Sequence, residues 1–356
     1  MNACILKALD ITNGFDWSVL NCHDRALALA SSIYNENLVW NFLMCHYSGT
    51  NCLKTFSNNN YYGSACYDYI ADISGLELER RVVLRDALID ELLQCKLPCV
   101  LVINNYYRRG SKHYNKKTHP HFVLICEMNA DTQKAKILDE PMEKQYWKTE
   151  NFKDGVKYEF QDLPFDDVIT LTKETDEFAK EMGFDFKMQT GNYAYFYVIH
   201  KIKDINLTPD KNLMSEYTNI VKSFDSHVQY LQNRLDNFLH KFEERYSDLP
   251  KIDSEYLFEL NVNDPTGIKA KLYFPYEWQL VDFHYRFLKR INICENYLFS
   301  TEDKRLMTFI NRYELIKMQL CLFIIKKSPA EIKNLIAKFL QLYEDEIFFL
   351  KQRVRE

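Results

Sequence analysis

The sequence predicts an α+β protein: a catalytic-sized α+β domain over residues 1–203, then a mostly α-helical domain over residues 204–356. Three observations predict it. Helical and strand patterns alternate as far as about residue 203, and only helical spacing follows. Near the N-terminus an alanine-rich helical pattern precedes a series of short apolar runs separated by turn residues, as for a helix packed on an antiparallel sheet. Finally, 356 residues exceed the ~250–300 at which a single core stops growing.

Each element has its own signal. Asn21 to about Tyr34 reads as a helix with Ala26, Leu29, Ala30 and Ile33 on one face. "LELERRVVLRDALIDELLQ", Leu76 to Gln94, also reads as a helix, stopped by Pro98, and "CVLVINNYY" follows as a strand. "HFVLICEM" and "KAKILDE" are strands joined by the turn "NADTQ"; "YEFQDLP" and "YAYFYVIH" are two more. Beyond Ile205, "PDKNLMSEYTNIVKSFDSHVQYLQNRLDNFLHKFEERY", "PYEWQLVDFHYRFLKRINICENYL" and "EDKRLMTFINRYELIKMQLCLFIIKK" read as helices, with "NDPTG" at 263–267 as a loop. The last helix opens on "SPAEIKNLI": Ser328 as N-cap, Pro329 at N1, Glu331 closing a capping box, and Ile332, Leu335, Ile336, Phe339, Tyr343 and Ile347 at helical spacing.

Composition excludes several classes of function. A hydrophobic content of 47%, including 24 Phe and 24 Tyr, supplies a core and argues against intrinsic disorder. The formal net charge of −5 gives no global nucleic-acid footprint. "MNACILKALDITNG" lacks the basic and apolar regions of a signal peptide, and "MQLCLFII" is too short to span a bilayer, so a cytoplasmic location without membrane insertion is expected. The ten cysteines are irregularly spaced, which favours reduced, mostly buried thiols over a disulfide framework. Neither Cys45, His46, Cys52 and Cys66 nor Cys95 and Cys99 nor His119 and His121 give paired ligand motifs at zinc spacing, so no metal is expected. No glycine-rich phosphate loop occurs, and no bound cofactor is expected.

The most informative stretch is "THPHFVLICEMNADTQKAKILDEP", Thr118 to Pro141. Read as a symmetric hairpin centred on Ala130, it sets His121 opposite Asp139 on one face. A carboxylate that accepts one ring N–H of a histidine fixes the tautomer and stabilises the imidazolium, and leaves the other ring nitrogen free for proton exchange. A register slip of one residue would turn the acid to the other face. Cys22 opens the early helix of "NCHDRALALA", where free N–H groups and the helix dipole favour a thiolate and its own backbone N–H faces a developing oxyanion. Singly, these residues have ordinary readings as a buried thiol, a strand-end histidine and a turn carboxylate. Their order, a cysteine on an early helix followed by histidine and acid on successive strands, favours Cys22, His121 and Asp139 as a catalytic set; the resemblance described next implies their roles as nucleophile, general base and acid, and orienting group.

That order resembles the papain-like cysteine-protease fold. In detail the stretch from about residue 14 to 200 resembles the BtrH N-terminal domain family of butirosin biosynthesis. The likeness rests on "NCHDRALALA", on "LLQCKLPCVLVINNYY" before a basic loop, and on "HPHFVLICEMNADTQKAKILDEP". It implies an acyltransferase rather than a protease. An acyl group on the phosphopantetheine arm of an acyl or peptidyl carrier protein passes to Cys22 and then to a small amine, forming an amide in thiotemplated secondary-metabolite biosynthesis. A narrower likeness is to cysteine-protease-like amide synthases whose acceptor is a small diamine. The alternative is a cysteine peptidase or thioesterase that hydrolyses the same acyl-enzyme, and a non-catalytic binding protein on the same fold is a third reading.

The sequence departs from papain-like peptidases at Asp16, six residues before Cys22, where those enzymes carry a glutamine as oxyanion donor. A carboxylate donates no hydrogen bond, so Asn13, Asn21 or the Cys22 backbone amide are the candidate donors. The loop "YYRRGSKHYNKKTHPH" carries Arg108, Arg109, Lys112, Lys116 and Lys117 without an acid, and either docks an acidic carrier protein or is a solvated loop. "NNNYYGSACYDY", Asn58 to Tyr69, is either a surface loop or the wall of an acyl pocket. The aromatic stripes of the C-terminal helices read as core; a lid and a homodimer face are their other uses.

Overall fold

The computed structural model of the protein describes residues 3–13, 22–44, 64–111, 113–140, 157–179, 184, 192–205, 208–240, 285, 288–289, 291–296, 300, 303–326 and 328–355. Contacts divide the chain into two units, Met1–Asn212 and Leu213–Glu356. The "NDPTG" loop, Asp16, Asn21, Lys112 and residues 58–63 lie outside the described residues.

The first unit is α+β. Its sheet has six strands: β1 (Leu76–Leu84), β2 (Cys99–Asn104), β3 (Pro120–Asn129), β4 (Lys134–Asp139), β5 (Glu159–Pro164) and β6 (Tyr193–Lys201). The spatial order is β1-β6-β2-β3-β4-β5, and every neighbouring pair is antiparallel. Strand β2 is buried along its whole length and β3 from His121 to Ile125, because helices cover both faces. That double cover explains why these strands read as continuous apolar runs rather than as alternations.

Helices α1 (Ala3–Asn13), α2 (Cys22–Ser31), α3 (Leu38–Met44) and α4 (Ser64–Ile73) come from the N-terminal part. Helix α2 packs on β3 and β2, with α1 and α3 beside it. Every residue from His23 to Ser31 is buried, so α2 is a core helix all round rather than a helix with one apolar face. Its alanines let the surrounding elements approach closely. On one sheet face, Leu88 and Leu92 of α5 (Leu88–Gln94) and Phe165, Val168 and Leu171 of α6 (Phe165–Leu171) pack with Leu101, Ile103, Val123, Ile125, Ile137, Phe196 and Val198. Asp176–Ala179 forms the short α7.

The helix expected over Leu76–Gln94 is a correction. The segment is strand β1, a 3₁₀ turn over Arg85–Ala87 and only then α5. Leu, Glu and Arg favour a helix locally, but "LELE" also alternates, and Leu76 and Leu78 are buried while Glu77 is exposed. Pairing with β6 from Leu76↔Lys201 to Leu84↔Tyr193 overrides the local preference. Gly75 turns the chain into β1 at φ +70, and its carbonyl accepts the N–H groups of Ile202 (2.9 Å) and Lys203 (3.2 Å). A Cβ there would lie 2.5 Å from the Lys203 carbonyl oxygen. Gly75→Ala is expected to cost at least about 1–3 kcal/mol, read as a lower urea midpoint with an unchanged slope.

The second unit contains most of α8 (Pro209–His240), a helical stretch over residues 291–296, α9 (Lys304–Ile325) and α10 (Pro329–Arg355). Helices α9 and α10 pack together through Leu306, Ile310, Tyr313, Ile332, Leu335, Phe339, Tyr343 and Ile347, all buried. Of the apolar positions read for the last helix, all but the partly buried Ile336 are thus on its core face. Tyr313 donates its hydroxyl to the buried Glu346 (2.5 Å), which meets the need of a carboxylate placed between apolar turns. Among the described residues, no helix is long and apolar enough to cross a membrane.

Candidate functional site

The site is built where α2 begins and where β3 and β4 lie side by side. His121 is the second residue of β3 and pairs with Ile103 of β2. Asp139 ends β4. His121 Nε2 lies 2.8 Å from Asp139 Oδ1, and both side chains are buried.

The two residues do not stand directly opposite, as the symmetric hairpin expected. The turn spans Ala130 to Gln133, with Gln133 at φ +52, so the ladder starts at Asn129↔Lys134. A bulge between Ile125 and Glu127 then shifts the register to Leu124↔Leu138. Continuing that step sets Asp139 level with Val123, two residues along the strand from His121. The contact is therefore diagonal. An even offset keeps both side chains on one face, and diagonal neighbours lie within reach of an imidazole.

Cys22 is the first residue of α2. Its neighbour His23 stacks on Phe122, the neighbour of His121, with ring centroids 3.9 Å apart at 8°. This stack fixes the mouth of the helix against the start of β3. A charge on the Cys22 sulfur would raise the pKa of both His121 and Tyr158, so the start of α2 lies within electrostatic reach of both. Burial opposes the His121 imidazolium, but the Asp139 carboxylate and then the Cys22 charge outweigh it, and with Arg108 pulling the other way its pKa still rises to about 10. For Asp139, burial again works against the charge, and Arg108 and then His121 reverse it, leaving the carboxyl below its usual range.

Arg108 is a correction. The loop sequence predicts it among the carrier-docking residues, yet its side chain is only 4% exposed and its Nη2 sits 2.6 Å from Asp139 Oδ2. The same nitrogen donates to the Glu140 carbonyl (2.8 Å). So enclosed, it is not part of the exposed surface of the loop. Asn104 brackets the loop that carries it: its Oδ1 accepts the N–H groups of Tyr106 and His119, each at 3.1 Å. Tyr107 and Arg108 then turn back through bonds to the Asn104 and Asn105 carbonyls (3.0 and 3.3 Å). Arg109, Lys116 and Lys117 are exposed on the loop surface; Lys112 lies outside the described residues.

Asn13 is engaged by Tyr158. Its Nδ2 donates to the Tyr158 carbonyl (3.2 Å), and its Oδ1 accepts the Tyr158 N–H (2.9 Å) and a bond from Arg25. These bonds hold the end of α1 to the segment that enters β5 and take up one of the two Nδ2 hydrogens. Asn21, the other side-chain candidate, lies outside the described residues. The sequence reading missed Arg25, buried with its guanidinium 3.7 Å above the Tyr158 ring, and Asp24, which accepts the Tyr67 hydroxyl at 2.6 Å. The signal for both was present: adjacent opposite charges inside a helix whose flanks are otherwise small and apolar.

Elsewhere, Cys95 is half-buried, and a hydrogen bond from Cys99 lowers its pKa against the effect of burial. Burial pushes Cys126 up to about 12. Cys95 is thus a second thiol that an alkylating reagent will find, and labelling of Cys22 has to be read by peptide.

No family model matches the chain, and no curated protein matches it.

Proposed function

We propose that the protein is a cysteine-dependent acyltransferase with a papain-like catalytic domain, forming amides from carrier-bound thioesters. The observation that carries this reading is the buried His121–Asp139 contact at 2.8 Å beside a helix that starts at Cys22. A histidine whose Nε2 is bound by a carboxylate keeps Nδ1 for the nucleophile. The Cys22 thiolate attacks the thioester carbonyl, and the oxyanion forms near the free N–H groups at the start of α2. Collapse breaks the donor C–S bond, and the imidazolium gives its proton to the leaving thiol. A small amine then attacks the acyl-Cys22 thioester. His121 takes the amine proton, the amide leaves, and Cys22 returns as thiolate.

Two further features support a carrier protein as donor. Arg109, Lys116 and Lys117 are exposed on the loop that leads into His121, which favours an acidic partner through complementary charge. The resemblance to the BtrH family points to the same donor class. Incubating the protein with acyl-phosphopantetheine thioesters and no amine is expected to leave an acyl mass on the Cys22 peptide, and adding a small amine or diamine to release amide. Free acid as the sole product in the presence of amine would assign hydrolysis instead. No adduct under single-turnover conditions across short, long and aromatic acyl donors would overturn the reading.

A further inference from the structure

We propose that Arg108 is a positioning residue of this site: its guanidinium fixes the Asp139 carboxylate in the charge and orientation that His121 needs. The inference rests on the acyl-transfer reading above for its consequence, but its geometry stands alone. The two oxygens of Asp139 are divided between two cations, Oδ1 to His121 Nε2 at 2.8 Å and Oδ2 to Arg108 Nη2 at 2.6 Å. Neither Arg108 nor Asp139 is more than 4% exposed, so water does not screen the pair. The bond from Arg108 to the Glu140 carbonyl anchors the guanidinium to the backbone one residue past the carboxylate, and Gln161 Nε2 donates to that same carbonyl at 2.7 Å. Rotation of the Asp139 carboxylate would break one contact or the other. The arginine therefore holds the carboxylate through a close ion-pair contact and as a countercharge, while the hydrogen bond of its Nη2 goes to the Glu140 carbonyl.

The charge count shows why a second cation is needed. In the working state Cys22 and Asp139 are both anions, and His121 is the one imidazolium between them. Two anions around a single cation leave a surplus negative charge next to a buried ion pair, which the site relieves by taking up a proton. Arg108 makes the row alternate: thiolate, imidazolium, carboxylate, guanidinium, with the Glu140 carboxylate beyond it at 3.9 Å from Arg108 Nη1. Its role is to let a thiolate form while the carboxylate stays ionised.

The test is the pH dependence of Cys22 alkylation by iodoacetamide, read on the Cys22 peptide so that Cys95 does not contribute. In Arg108→Met the acid limb is expected to move to higher pH by about one unit, a roughly tenfold slower reaction below the limb. Arg108→Lys, which keeps the charge, is expected to restore the limb while leaving acyl transfer slower. If Arg108→Met does not fold, Arg108→Gln carries the same test, since it retains a donor for the Glu140 carbonyl. A limb that stays in place in a folded, destabilised variant would reduce Arg108 to a structural ion pair and overturn the proposal. The His121 ring titration by NMR separates this from failure of the acyl-transfer reading: loss of Arg108 should let His121 hold its proton to higher pH. If the wild type takes no acyl group but His121 still responds to Arg108, only the acyl-transfer reading fails. If acyl groups bind and neither titration moves, only the Arg108 role fails.

Discussion

Replacing Cys22 with Ala is expected to abolish the acyl adduct, and replacing His121 with Ala to slow acylation by about 10²–10⁴-fold, the usual share of a positioned general acid–base. The two effects should not add. Without His121 the thiol lacks its proton acceptor and its counter-ion, so most of what Cys22 contributes is already lost. A Cys22→Ala, His121→Ala double variant should therefore be no slower than Cys22→Ala alone, as for residues that act as one unit. The measurement is single-turnover release of pantetheine thiol, with far-ultraviolet circular dichroism to show that the fold is intact. Cys22 lies at the first position of its helix and is only partly buried, so Cys22→Ala should leave stability nearly unchanged. His121 is buried against Asp139, so His121→Ala removes a partner from an ionised carboxylate and will also destabilise. His121→Gln, closer in size and still a donor, checks that the rate loss does not simply follow the stability loss. Undiminished acylation in Cys22→Ala would dismiss Cys22 as the nucleophile.

Much of the sheet was legible because β2, β3, β4 and β6 hold apolar runs bounded by turn residues, and their spans, like that of the more polar β5, lie close to those read. Strand β1 was not, since "LELERRVV" satisfies a helical propensity and a strand alternation together, and only the β6 partner decides between them. The pairing of His121 with Asp139 was legible for a reason that is partly fortunate. The symmetric reading took no account of the four-residue turn or of the bulge beside Cys126, yet their combined shift is even, so the face was kept. An odd shift would have separated the residues across the sheet. Nothing in "YYRRG" distinguishes Arg108 from Arg109, one buried and one exposed. The distinction arises from the loop's return through Asn104 and from a buried carboxylate in need of a countercharge, and both are tertiary facts. The sequence did hold a hint on the other side: Asp139 follows two buried apolar residues in β4, a place where an unpaired acid is costly.

Asp139→Ala is expected to be the most destabilising single change at the site, by about 3–5 kcal/mol, because it takes from the buried Arg108 guanidinium its close ion partner and leaves only the Glu140 carboxylate at 3.9 Å. The penalty belongs to the stranded charge more than to the lost bond. A double variant, Asp139→Leu with Arg108→Met, should therefore be more stable than Asp139→Leu alone. The pH dependence has a definite sign. Asp139 is held below its ordinary range, so its contribution is present above the unfolded carboxyl pKa near ~3.9 and is lost as pH falls through the folded value. His121 is raised to about 10, so its contribution is complete below the unfolded value near ~6.5 and is lost as pH rises towards 10. The stability difference between wild type and Asp139→Ala should thus be widest between about pH 4 and 6.5 and narrow on both sides. Urea midpoints taken across that range measure it. Equal differences at pH 5 and pH 10 would mean that His121 and Asp139 are not an ion pair in the folded protein, and the proposed acyl transfer would lose the cation it assigns to His121.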